Sequence, residues 1–486
     1  MNYRMIVNVL GWILLFESLF LAIPAITALV FRESEIWAFL LAMAICGAVG
    51  VLLVFRKPKS TTLYTKDGFV IVALSWITLS LFGTLPLLFS PNLELSFIDA
   101  LFETVSGFTT TGATVFPDVE VLPRSILMWR AFTHWIGGMG VLVFIMAFLP
   151  LSGGQNMHIM KAESTGPDVG KLVPRVRTTA MILYTIYIAL TLLEMILLLC
   201  GGMSFFDALC TSFSTAGTGG FGNYNDSCNS FSPYIQIVIT VFMFLFSVNF
   251  NCFYLLLLRR FRQVFNAELR TFIGIVLAAV ALIMVNSYLT YSEMGFSFGE
   301  ALRHTFFTVG AIISTTGFST VDFTLLPVLS QVVLVCIMLI GACAGSTGGG
   351  FKVSRILILF KSAIQEIRHQ IHPKEVRRMM VDKHPISDEM VRSVNSYLVC
   401  YIGIFALSLL LIGFETFSKG QGFTTAFTSV ATMLNNVGPG LEGVGPKFSF
   451  AFYSIPSKLV FIFDMLAGRL ELFPMLLLLT PATWKK

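Results

Sequence analysis

The chain has 486 residues, of which 56% are hydrophobic and only 12% charged, with a net charge of +5. Soluble domains carry about 25% charged residues, so this chain cannot cover a soluble multidomain enzyme with polar groups, and it is too apolar for disorder. An all-α polytopic membrane protein remains, with 39 glycines available for close helix packing or for non-helical backbone inside the membrane.

A helix needs about 20 apolar residues to span a bilayer. In chain order the predicted spans are 5–31, 36–55, 67–90, 125–150, 178–201, 233–258, 270–291, 325–361, 394–415 and 455–481. The first is too long for a cleavable signal and lacks a small-residue cleavage site. Four shorter stretches lie between them, at 96–108, 203–216, 298–313 and 421–434. At about 1.5 Å per residue, each reaches only halfway through the hydrocarbon. One set of loops holds Arg56, Lys57, Lys59, Lys66, Lys161, Lys171, Arg175, Arg177, Arg259, Arg260, Arg262 and Arg270. Arg368, Lys374, Arg377, Arg378, Lys383, Arg392, Lys485 and Lys486 fall on the same side. Excess Lys and Arg mark the cytoplasmic side, so both termini are expected there. Glu33, Glu35, Asp118, Glu120, Asp226, Asp322 and Glu442 fall on the opposite side, where they would concentrate cations. These positive charges sit in membrane-flanking loops and give no reason to expect nucleic acid. The eight cysteines show no metal-binding spacing and predict no disulfide framework; only Cys228 reads as solvent-facing.

The short stretches repeat. Each begins at a phenylalanine: Phe97-Ile98-Asp99-Ala100, Phe205-Phe206-Asp207-Ala208, Phe298-Gly299-Glu300-Ala301 and Phe423-Thr424-Thr425-Ala426. Each leads into a polar return around a glycine: Gly112, Gly220, Gly317 and Gly438. From alanine to glycine is 12 residues in the first, second and fourth copies and 16 in the third. The chain therefore reads as a hairpin, 1–60, and four copies of span, half-helix, polar return and span, at 61–155, 156–262, 263–365 and 366–486. Non-helical backbone at membrane depth must be buried or line a wet cavity. Four such returns can converge on one axis, with carbonyls replacing the hydration shell of a cation and helix C-termini favouring it.

These residues resemble the superfamily of TrkH, TrkG, KtrB and HKT potassium transporters. The resemblance rests on Thr109–Thr114 (TTTGAT), Ser214–Phe221 (STAGTGGF), Ser314–Phe318 (STTGF) and Leu434–Gly440 (LNNVGPG), with His134–Val141 (HWIGGMGV) and Gly345–Lys352 (GSTGGGFK) between them. It covers essentially the whole chain, and the extra hairpin is similar to the Trk branch. It implies a pseudo-fourfold K⁺ pore, a homodimer in the bacterial inner membrane, and a cytosolic TrkA-like regulatory ring binding NAD or ATP. No organic cofactor is implied on this chain. The filter would comprise Thr110, Thr111, Gly112, Gly219, Gly220, Thr315, Thr316, Gly317, Asn436, Val437 and Gly438. K⁺ would bind at Thr111, Gly112, Gly220, Thr316, Gly317, Val437 and Gly438. Serine at the first filter glycine goes with sodium permeation in some relatives, so four glycines imply K⁺ preference. Arg303 and His304, near the outer start of the third short helix, are awkward for cation entry unless they lie outside the pore radius.

The stretch 325–361 would be about 54 Å long as one helix, against a core of about 30 Å. Gly345-Ser346-Thr347-Gly348-Gly349-Gly350 holds four glycines, which cost a helix about 4 kcal/mol relative to alanine. The reading is a broken helix with a polar loop below the filter; the alternative is a packing groove for a neighbouring helix. The resemblance makes that loop a gate. Lys352 and Arg355 either contact the pore or snorkel to the cytoplasmic edge. Arg469 lies in the last span, and a helical wheel puts it on a different face from Asp464 and Glu471. The resemblance makes it a barrier below the filter; the alternative is a salt bridge to another helix. His134–Gly140 is expected to serve close packing. Asn249 and Asn251 are expected to bond to neighbours. Residues 362–392 are a docking face for a partner or a solvated loop against lipid headgroups. The leading function is K⁺ uptake. The alternative is H⁺- or Na⁺-coupled symport, with Glu194, Asp464 or Glu471 carrying protons. An enzyme is disfavoured, because no paired carboxylates or metal ligands face one aqueous side.

Overall fold

The computed structural model describes residues 1–55, 64–140, 176–374, 379–382 and 384–484. The domain boundaries at 60 and 155 lie outside them. So do the basic residues Arg56, Lys57, Lys59, Lys161, Lys171, Arg175, Arg377, Arg378, Lys383, Lys485 and Lys486. The fold is helical; among the described residues the sole sheet is a ribbon of Met380–Val381 with His384–Pro385.

Six helices among the described residues are long and apolar enough to cross a membrane: Tyr3–Phe31, Ile36–Val54, Lys66–Phe89, Arg177–Cys200, Ala267–Glu293 and Asp388–Ser418. The first and second pack closely because Gly11 and Gly50 face each other; a Cβ on Gly50 would lie 3.0 Å from the Gly11 carbonyl oxygen. Polar groups tie the same pair, with Ser18 donating to the Met43 carbonyl at 2.9 Å.

Three expected spans are broken. The stretch 325–361 forms Val328–Ile340 and Val353–Ile371, with Gly341 and Gly345 at positive φ between them. The stretch 233–258 forms Pro233–Ser247 and Phe250–Leu257, bent by 93°, although the sequence reads as one continuous span. The stretch 455–481 forms Ile455–Arg469 and Phe473–Leu479, separated by left-handed Glu471 and Leu472. The stretch 125–150 begins as Arg124–Gly138 and continues outside the described residues.

The first two breaks satisfy each other. The Phe250 amide donates to the Gly345 carbonyl at 3.0 Å, and the Cys343 amide to the Ser247 carbonyl at 3.1 Å. The Thr347 hydroxyl donates to the Phe246 carbonyl at 3.1 Å. A break deep in an apolar protein is tolerable when its freed backbone groups find partners in this way.

The four short helices form at the expected places: Phe97–Phe108, Phe205–Ala216, Phe298–Ile313 and Phe423–Asn435. Their shared motif is a helix start. Ser96, Ser204 and Ser297 cap the first three by accepting from the amides of Asp99, Asp207 and Glu300. Ser297 and Glu300 complete a capping box. The fourth begins after Gly422 and has no side-chain cap. The longer spacing of the third copy resides in its helix, which has 16 residues against 12, 12 and 13 in the others.

Cys228 corrects the sequence reading. It is 1% exposed, because the second return folds back and its amide donates to the Ser319 carbonyl at 2.9 Å.

Candidate ion pathway

After each short helix the backbone takes the same course. Thr110, Thr218, Thr315 and Asn436 all have positive φ, between 54° and 60°. Two residues later Gly112, Gly220, Gly317 and Gly438 have φ of 75°, 81°, 79° and 97°. Left-handed torsions cost a side-chain-bearing residue about 1–2 kcal/mol, which glycine avoids. Thr218 is the position that the sequence reading missed; its place two residues before Gly220 was the available signal.

The four returns close a ring. A Cβ built on Gly112 would collide with the Gly219 carbonyl, and one on Gly220 with the Thr316 carbonyl. One on Gly317 would collide with the Val437 carbonyl, and one on Gly438 would lie 2.6 Å from that of Thr111. Each glycine thus faces the carbonyl of the residue before the next glycine, in the order first, second, third, fourth, first. All four glycines line a single cavity of about 110 Å³, together with Phe221, Ser319 and Lys447.

Hydroxyls stiffen this ring. The Thr109 and Thr111 hydroxyls are 2.8 Å apart, and those of Ser314 and Thr316 2.6 Å. Asn436 donates to the Thr111 hydroxyl at 3.0 Å, fastening the fourth return to the first. His134 lies under the second return, its ring stacked on Phe221 with centroids 4.2 Å apart. Gly137 and Gly138 leave room for Phe108 and Gly217, so the His134–Gly140 stretch serves packing, as its sequence suggests. Neither Arg303 nor His304 lines the cavity; His304 is buried with Nδ1 2.9 Å from the Thr320 hydroxyl.

The broken-helix segment lies against the third and fourth returns. The Gly349 amide donates to the Thr315 hydroxyl at 2.6 Å, and the Gly350 amide to the Asn435 carbonyl at 3.1 Å. Gly348 abuts Ser314, and a Cβ on Gly349 would collide with the Asn435 carbonyl. Ser346 turns back to the Cys343 carbonyl at 2.6 Å, and Gly345 sits against Asn249. Lys352 is 1% exposed and donates to the Gly348 carbonyl, which places it inside the protein rather than at a membrane edge. Glu268 accepts from the Ala344 amide at 2.7 Å; its distance in sequence hid this contact.

Arg469 joins these parts. Its Nη1 donates to the Thr110 hydroxyl at 3.1 Å and the Thr347 carbonyl at 2.7 Å. Its Nη2 donates to the carbonyls of Gly137 and Gly138 at 2.6 and 2.7 Å, at the negative end of Arg124–Gly138. These four acceptors are neutral oxygens. The helical wheel through Glu471 does not apply, because the helix ends at Arg469; Glu471 pairs with Arg355, which lies over the Tyr397 ring.

A family model described as TrkH, a cation transport protein, matches residues 35–486. The chain belongs to the TrkH family. TrkH-family members are transporters rather than enzymes. The chain is 35% identical to the Trk system potassium uptake protein TrkH of Salmonella typhimurium, covering 100% of both chains. Identity to TrkG of Escherichia coli K12 is 32%, over 100% of this chain and 99% of that protein. The crystal structure of the potassium transporter TrkH from Vibrio parahaemolyticus superposes with a TM-score of 0.86, at 33% identity over 100% of both chains.

Proposed function

We propose that this chain takes up potassium across the bacterial inner membrane through four helix–return–helix repeats around one pore. The repeats would follow an N-terminal hairpin, with boundaries at 60, 155, 262 and 365. The observation that carries this reading is the closed circuit of four glycines, each against its neighbour's carbonyl. K⁺ sheds water at the carbonyls of Thr111, Gly219, Thr316 and Val437 and is drawn inward by about 2.3 kcal/mol per 100 mV. The segment Gly345–Gly350, with Lys352 and Arg469, closes the path below. The names of the relatives support a potassium uptake system. A homodimer and a cytosolic TrkA-like ring complete it, with the ring docking on the basic face at 362–392. Both termini face the cytoplasm, supported by the distribution of Lys and Arg.

Proton-coupled symport needs a carboxylate within reach of the ion. Asp464 is buried and accepts from Ser408 at 2.8 Å, Glu471 is held by Arg355, and neither Glu194 nor these two line the cavity. Flux of K⁺, Rb⁺, Na⁺ and Li⁺ in proteoliposomes tests the proposal. K⁺ and Rb⁺ are expected to pass, Na⁺ and Li⁺ to be excluded, and Gly112→Ser to relax that preference. A pH-driven K⁺ current would favour symport; equal K⁺ and Na⁺ flux would refute the filter.

A further inference from the structure

The first two returns are joined by the most deeply buried ion pair among the described residues. Glu103, on the first short helix, and Arg130, on the helix after its return, form an ion pair with Nε and Oε1 2.8 Å apart. Their side chains are 1% and 3% exposed. Glu103 also accepts from the Thr114 hydroxyl at 3.0 Å and the Val115 amide at 2.9 Å, both just beyond Gly112. Arg130 reaches across to the second return. Its Nη1 donates to the Gly222 carbonyl at 3.4 Å, and its guanidinium lies 4.1 Å from the Phe221 ring centre. Arg130 also lines the cavity over the four glycines.

The other copies are built differently. The position nine residues before each glycine is Glu103 in the first copy and Thr211, Thr308 and Ser429 in the rest. The seventh residue of the helix after each return is Arg130 in the first copy and Ile239, Leu334 and Phe461 in the rest, all three buried. At these two positions the other three copies do with a hydroxyl and an apolar side chain; the Lys458–Asp99 ion pair between the fourth and first copies uses other positions and is less buried, at 7% and 25% exposed. Burying two charges is a costly way to do the same job.

We propose that Glu103 and Arg130 are a positioning pair for ion selection. The pair fixes the spacing between the first and second carbonyls of the ring, and Glu103 cancels a positive charge that would otherwise face entering cations. This rests on the four-glycine filter proposed above. The test compares wild type, Glu103→Gln, Glu103→Asp and the double variant Glu103→Thr/Arg130→Ile, which carries residue types of the other interfaces. Each full-length protein is reconstituted in proteoliposomes and scored per folded molecule.

The double variant is expected to lower the K⁺-over-Na⁺ uptake ratio on the order of tenfold. Glu103→Gln, which leaves the guanidinium unopposed, is expected to raise the external K⁺ giving half-maximal uptake by about tenfold. Glu103→Asp keeps the charge but retracts the carboxylate. It is expected to shift the ratio while leaving half-saturation near wild type, and it serves if the double variant does not assemble. A purely structural pair would change the yield of folded protein and neither of these readouts. Wild-type ratios in a folded double variant or in folded Glu103→Asp would overturn the pair's role alone. Wild-type protein that does not separate K⁺ from Na⁺ would overturn the filter reading and the pair's role with it.

Discussion

Replacing Arg469 by glutamine removes a buried charge from directly beneath the returns. The guanidinium touches the Thr110 hydroxyl of the first return at 3.1 Å and the Thr347 carbonyl of the inner segment at 2.7 Å. A cation passing at about 6 Å, in an effective dielectric of about 20, would be repelled by about 3 kcal/mol. That barrier corresponds to roughly a hundredfold in rate. Rb⁺ uptake into proteoliposomes, at equal incorporation, is therefore expected to rise by up to that factor, with the K⁺-over-Na⁺ ratio unchanged. Arg469→Lys separates charge from geometry, since an ammonium keeps the charge but cannot span four acceptors as a planar fork does. If charge dominates, lysine stays near wild type. If it conducts like glutamine, the latch across Thr347, Gly137 and Gly138 dominates instead. Unchanged uptake in a folded Arg469→Gln protein would refute both.

Glu268→Ala leaves the Ala344 amide without its 2.7 Å acceptor, which costs about 1–3 kcal/mol, so hydrogen exchange across 341–350 should accelerate. Gly349→Ala places a methyl against the Asn435 carbonyl. The strain of about 1–3 kcal/mol should push the inner segment from the fourth return and raise uptake, read as Rb⁺ flux. In the loops after the first and second returns, the Asn225 side chain and then the Glu120 amide hold Asp118 below the usual carboxylate range. The link from Asp118 to Asn225 should persist above the ordinary carboxylate pKa and loosen as pH falls through the lowered value. Exchange at 118–121 against pH, with Asp118→Asn insensitive, checks this.

The short helices were legible because their signals are local. A phenylalanine start, an acidic residue two positions on and a glycine 12 or 16 residues past the alanine are enough to place Phe97–Phe108, Phe205–Ala216 and Phe298–Ile313; the serine caps emerged only in the structure. The glycine run of 345–350 was legible for the same reason. The bend between Ser247 and Phe250 was not, because its partners lie near 345 and the apolar run gives no local sign. Leu472, at φ 59°, likewise breaks a helix that its neighbours in sequence favour. Cys228 lies among Asp226, Ser227 and Asn229, which suggests solvent; burial comes from the third return. Glu103 and Arg130 meet across 27 residues of chain, beyond the reach of any repeat motif.

The two helix breaks that exchange hydrogen bonds make the second and third repeats poor candidates for independent exchange. A chimera importing a relative's third repeat alone would make the carbonyls of Phe246 and Ser247 accept from the relative's residues in place of Thr347 and Cys343. Swapping both stretches together keeps the three hydrogen bonds between the breaks within one parent sequence, leaving the Gly350–Asn435 and Arg469–Thr347 bonds among those that still cross into the last part of the chain.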